Sequence, residues 1–126
     1  MKRVLGVAIL LCASAIGVQA ADDWNAMALD DDTLNVGMAS DQASQQQAED
    51  TAKQQCMSAG GKSCSTVFAR EGGCLAISRD EAGLSVGIGM EDTIQDTVVE
   101  ALNQCINDGK HPSCTVHTNY CGGTGN

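Results

Sequence analysis

The sequence predicts an α+β domain: antiparallel sheet carrying two helices, stapled by disulfides and built from a β-β-α-β unit used twice. Three observations lead there. The chain repeats itself, its cysteines fall at matched positions of the two copies, and its apolar spacing changes from strand-like to helical at the same point in each. Shifted by 50 positions, Trp24-Asn25-Ala26-Met27-Ala28 falls on Cys74-Leu75-Ala76-Ile77-Ser78. Leu34-Asn35-Val36-Gly37-Met38-Ala39 falls likewise on Leu84-Ser85-Val86-Gly87-Ile88-Gly89. Cys64 falls on Cys114; with one residue deleted Gln55-Cys56 falls on Gln104-Cys105, and Cys74 corresponds to Cys121. The copies run from about 24 to 73 and from 74 to 121. Two copies are too few for a solenoid, so the expectation is a pseudo-symmetric pair closing on itself.

Residues 1–20 read as a leader. Met1-Lys2-Arg3 is basic, residues 4–16 are apolar but short for a membrane span, and Val18-Gln19-Ala20 supplies small residues at a signal-peptidase site. Cleavage there would leave residues 21–126 as one disulfide-rich domain without a stable membrane anchor. A lipoprotein signal at Cys12 is disfavoured, because Leu11 stands where a small residue is needed.

In the first copy, residues 24–29 alternate weakly and predict a strand. Asp30-Asp31-Asp32 form a polar turn, and residues 34–39 return as a second strand with Gly37 inside it. Ser40 or Asp41 is the expected helix cap, since either can accept a backbone N–H bond. Ala43, Ala48, Ala52 and Cys56 then recur near helical spacing until Gly60-Gly61. Residues 64–70, with Thr66, Val67 and Phe68, predict a third strand, and Glu71-Gly72-Gly73 turns the chain into the second copy. There the strands are expected at 74–78 and 84–90. A helix starting near Asp92-Thr93 carries Ile94, Val98, Ala101, Leu102 and Cys105 on one face, Asp108-Gly109 ends it, and residues 114–121 form the last strand.

Six cysteines follow the leader, which in an exported chain implies an oxidised framework. The composition calls for one: Trp24, Phe68 and Tyr120 are the only aromatic residues, so covalent links must supplement a core of small side chains. Cys114 and Cys121 lie at opposite ends of one predicted strand, roughly 23 Å apart at 3.3 Å per residue, beyond the roughly 7 Å that a disulfide tolerates. Cys105 and Cys114 instead flank a helix-to-strand loop that brings its ends together. Repeat symmetry gives Cys56–Cys64 the same arrangement, which leaves Cys74–Cys121.

Charge narrows the partners. Beyond the leader five basic side chains face sixteen acidic ones, a net charge of −11. That repels nucleic acid and anionic membranes, and favours either plain solubility or a cationic protein partner.

No residue pattern carries catalysis: no glycine pattern brackets a serine, and Gly87-Ile88-Gly89 lies in a predicted strand without the third glycine of a nucleotide-binding turn. His111 and His117 invite a metal reading, with Cys114 and Cys121 at ligand-like spacing. Zinc needs thiolates, however, and disulfides take them first. Asp30-Asp31-Asp32 and Asp80-Glu81 occupy equivalent turns but lack the spacing of a calcium loop, so they read as solvated hairpin turns. Gln42 to Gln47 offers a polar helix face, most simply solvated. Few aromatics means little surface for stacking sugars. The expected site list is therefore empty for catalysis, cofactors and metals.

With Trp24-Asn25-Ala26-Met27-Ala28, the spacing Cys56 to Cys64, Gly73-Cys74-Leu75-Ala76-Ile77 and the spacing Cys105 to Cys114, the chain resembles a family of small exported bacterial proteins catalogued as domain of unknown function 4189. The resemblance covers nearly all of residues 24–121. It implies export and intact disulfides, with no established activity. The stretches 34–38 and 115–120 are poorer in aromatics than that family leads one to expect. The functional expectation is a non-enzymatic binding module, periplasmic or extracellular, whose acidic surface takes a cationic envelope enzyme or toxin. A structural envelope protein without a specific ligand and a small hydrolase are the alternatives.

Overall fold

The structure is a computed structural model that describes residues 22–107 and 110–122. The expected leader, residues 1–20, and the expected helix stop at Asp108-Gly109 lie outside the described residues. The order of elements is β1 (Trp24–Leu29), β2 (Val36–Gln42), α1 (Gln45–Ser58), β3 (Ser65–Glu71), β4 (Cys74–Asp80), β5 (Val86–Glu91), α2 (Ile94–Ile106) and β6 (Cys114–Cys121). This is the β-β-α-β unit twice over. Each unit makes its own three-stranded antiparallel sheet, ordered β2-β1-β3 and β5-β4-β6, with the first strand of the unit in the middle.

Alternation along the central strands explains how the sheets stack. One face of β1 presents Trp24, Ala26 and Ala28 to α1, in a cluster with Ala39, Ala48, Ala52 and Cys56. The other face joins Met27 and Leu29, with Val36, Met38 and Phe68, to Leu75, Ile77, Val86, Ile88 and Met90 of the second sheet. The layers therefore run helix, sheet, sheet, helix, and each sheet is covered on both faces.

The helices lie close because the strands beneath them are stripped of side chains. A Cβ built on Gly37 would stand 1.8 Å from the Ala52 carbonyl oxygen, and one on Gly87 1.8 Å from that of Ala101. These glycines occupy the same place in the two copies, and so do the alanines. Two hydroxyls complete the second interface: buried Ser78 donates to the Ala101 carbonyl at 2.5 Å and half-buried Ser85 to that of Cys105 at 2.7 Å.

The helix starts differ from expectation in the first copy. Ser40 and Asp41 do not cap α1; both belong to β2, which runs on until Gln42 pairs with Trp24 beyond a bulge. The cap is Ser44, whose hydroxyl accepts from Gln47 N–H, and Thr93 does the same for α2 toward Asp96 N–H. Ala43, counted on the apolar face of α1, is exposed and precedes the helix. In α2 the fully buried positions are Thr97, Ala101 and Cys105, with Ile94, Val98 and Leu102 half-buried beside them.

The disulfides are Cys56–Cys64, Cys105–Cys114 and Cys74–Cys121. The first two close the helix-to-strand loops of their copies, and the third joins residues directly opposite each other on β4 and β6. Such bridges belong to an oxidising, exported compartment. Among the described residues no helix is long and apolar enough to cross a membrane.

Candidate functional site

The two aspartate turns look alike in sequence and differ in structure. Asp30 is 1 % exposed, not solvated as expected. Its carboxylate accepts from the backbone N–H groups of Lys62 at 2.7 Å, Ser63 at 3.1 Å, Asp32 at 2.9 Å and Thr33 at 3.3 Å. Those bonds, led by Lys62 and Ser63 and opposed by burial, hold Asp30 well below the usual carboxylate range. Asp80 takes the same place in the second copy and is buried too, at 8 % exposed, against the expected solvated turn, but among the described residues its carboxylate accepts from Leu84 N–H alone, at 3.4 Å. Fifty positions beyond Lys62 stands Pro112, which has no N–H to offer. Asp30 is thus an anchor for the loop of the Cys56–Cys64 bridge, and Asp31 and Asp32 remain as exposed turn residues.

The histidines do not form a metal centre with Cys114 and Cys121, whose sulfurs are both in bridges. His117 is the extra residue of a bulge on β6, between Val116 opposite Ser78 and Thr118 opposite Ile77. Val67 has the same position on β3. Among the described residues no group of three or more His, Cys, Asp or Glu side chains is placed to hold a metal ion. Gly87 and Gly89 serve helix packing, and Gln45 and Gln46 bond along α1 to Glu49 and Asp50.

A groove of about 480 Å³ runs along the outer side of α2, lined by Glu91, Asp96, Val99, Glu100, Asn103 and Gln104. Helical spacing puts positions 96, 99, 100 and 103 on one side of α2, and Glu91 enters from the end of β5. Two of these side chains also close the edge of β5. Glu100 Oε2 accepts from Met90 N–H at 3.4 Å and Gln104 Oε1 from Ile88 N–H at 3.2 Å, while Gln104 donates to Glu100 at 3.3 Å. Thr97 Oγ1 takes the Glu91 N–H at 3.2 Å. The outward N–H groups of Ile88 and Met90 on this edge strand are thus used by its own helix.

Burial, and then a hydrogen bond and charge repulsion from Glu91, push the Glu100 carboxyl above its usual range, against the Met90 N–H that favours the anion. The arrangement can take up a proton more readily than an isolated carboxylate. It can equally receive a guanidinium or ammonium group beside the exposed Val99. Neither Glu91 nor Glu100 was singled out from sequence. The available signal was a break in the repeat: Thr51 stands at the position on α1 that Glu100 holds on α2.

Among the described residues only Asp92 is in an ion pair, with Arg70. Tyr120 on β6 donates to Asp41 on β2, and Arg70 and Tyr120 hold the same place in their copies. The bond to Asp41, then burial and the charge of Asp41, push the Tyr120 hydroxyl above its usual range.

Fold and bridges together define a small disulfide-stapled α+β protein made by duplication. The chain belongs to the family described as Domain of unknown function (DUF4189), which matches residues 24–121. Neither the curated proteins nor the solved structures gave a match.

Proposed function

We propose that this protein is a non-enzymatic binding module, exported to the periplasm or the medium, whose acidic surface receives a cationic protein. An envelope hydrolase or a toxin restrained by it, as by an inhibitor or immunity protein, is the kind of partner this chemistry suits. The observation that carries the reading is the groove along α2, where Glu91, Asp96 and Glu100 surround Val99 without a basic side chain among the lining residues. A partner's lysine or arginine would supply the missing charge, and its aliphatic stem would cover the valine. The excess of unpaired carboxylates around the molecule would speed the encounter and reject anionic surfaces.

The test is a pull-down with the oxidised chain as bait against envelope and secreted fractions of its source and of neighbouring species, at low and high salt. A basic enzyme retained at low salt and released at high salt supports the reading. Capture that is indifferent to salt overturns it.

One observation favours a second reading. Glu100 lies beside a second carboxyl group, Glu91, and burial pushes its own carboxyl above the usual range, a condition that suits a general acid. A small hydrolase using Glu100 as proton donor would turn over esterase, peptidase or muramidase substrates and lose that turnover in Glu100→Gln. A binding module shows no turnover with either protein.

A further inference from the structure

All three disulfides stay within one copy of the repeat: Cys56–Cys64 in the first, Cys74–Cys121 and Cys105–Cys114 in the second. No covalent bond other than the main chain joins the halves. What joins them is the apolar layer between the sheets, in which Met27 and Leu75 are fully buried. At its margins lie the Arg70–Asp92 pair, the Tyr120–Asp41 bond and a bond of 2.9 Å from Arg79 to the Leu34 carbonyl.

The connection between the halves is Gly72-Gly73, and each glycine is tied to its own half. Gly72 N–H donates to Asp23 O at 2.8 Å, and Gly72 O accepts from the Asn25 amide at 2.8 Å. Gly73 O accepts from Gly122 N–H at 3.1 Å. Both glycines are left-handed, at φ +66° and +80°, and a Cβ on Gly73 would lie 3.0 Å from Glu91 O and 3.1 Å from Arg70 Nε. The turn between them is the hinge.

We propose that two copies of this chain exchange halves about the Gly72-Gly73 hinge. The first repeat of one chain then covers the second repeat of the other, in a two-fold dimer that rebuilds the inter-sheet layer of the monomer. An opened monomer would expose that layer to water, so opening is stabilised only by a second opened copy. The short tether keeps the closed monomer favoured in dilute solution, because it holds the second half at high effective concentration. Mutual repulsion of two strongly acidic chains opposes the dimer and weakens as salt rises.

The experiment takes the full sequence, expressed through its own leader into an oxidising compartment. The purified protein is unfolded in guanidinium chloride without reductant and refolded at about 10 µM and about 1 mM, in low and in moderate salt. Mass is read by light scattering on a sizing column, then again a day after dilution. Exchange predicts monomer from the dilute sample and a dimer from the concentrated one, more of it in salt, that persists on dilution without denaturant. Gly73→Val, which crowds the closed turn and prefers the extended hinge, raises the dimer fraction several-fold. A monomer under every condition overturns the proposal. So does a dimer that falls apart within minutes of dilution, because that marks contact between surfaces rather than exchange.

Discussion

Asp30 and Asp80 show how the number of backbone donors around a carboxylate separates two turns that look alike in sequence, Pro112 removing one of them. Asp30 is stabilised as an anion by four backbone donors, whereas Asp80 has Pro112 where Asp30 has Lys62. Asp30→Asn should therefore lower Tm by several degrees more than Asp80→Asn, measured by circular dichroism at neutral pH. The sign with pH follows from the direction of the shift. A carboxyl held low in the folded state contributes its full stability above the ordinary value near ~3.9, and that contribution fades as pH falls below it. The acid limb of the Tm profile should be shallower in Asp30→Asn. Glu100 runs the other way: its carboxyl is held high, so the folded state favours the protonated form and is penalised as pH rises above the ordinary carboxylate range. Glu100→Gln keeps an oxygen for the Met90 N–H and removes the repulsion with Glu91. Its Tm should exceed that of the parent at pH 7, and the gain should vanish by about pH 4.

At the scale of the elements, the helices are set by what the strands lack. The carbonyl of Ala101 fills the space that a side chain at Gly87 would need. Gly87→Ala should therefore push α2 off its sheet, at a cost of about 1–3 kcal/mol, lowering Tm by roughly 5–20 °C for a domain of this size. The bridges differ in worth by loop length. On the chain-entropy model the loops of Cys56–Cys64 and Cys105–Cys114 give about 2.6 kcal/mol each, and that of Cys74–Cys121 about 4 kcal/mol. The pair Cys74→Ser with Cys121→Ser should thus lower the denaturation midpoint more than either of the other paired replacements. The sheet edges are guarded in two ways. Side chains of α2 occupy the Ile88 and Met90 N–H groups of β5, and bulges at Val67 and His117 interrupt β3 and β6.

For the molecule as a whole, charge and scaffold divide the work. Stability rests on the two-sheet layer and the bridges, since the one described ion pair, Arg70–Asp92, is substantially exposed and such pairs contribute about 0–1 kcal/mol. On the proposed reading, the groove carboxylates act on a partner instead. Joint replacement of Glu91→Gln, Asp96→Asn and Glu100→Gln should weaken a cationic partner roughly 10-fold at low salt and by less in high salt, read by titration calorimetry. The thermal midpoint should hold or rise, which separates lost binding from lost folding.

Much of this architecture is determined by the sequence alone. Repetition fixes the order β-β-α-β, because equivalent residues must do equivalent jobs. Repeat symmetry with strand length narrows the bridges to one set, because a strand cannot bend its ends together whereas a helix-to-strand loop can. Only the tertiary structure decided that each copy forms its own sheet and that the sheets stack face to face. Alternation marks two faces of β1 and β4 without saying which neighbour covers each. It also decided that β2 continues through Asp41, since pairing with β1 outweighed the local preference of Ser40 and Asp41 for a cap. The groove came from tertiary structure too: Glu91 and Glu100 belong to different elements, and no local pattern records that packing α2 on β5 brings their carboxylates together.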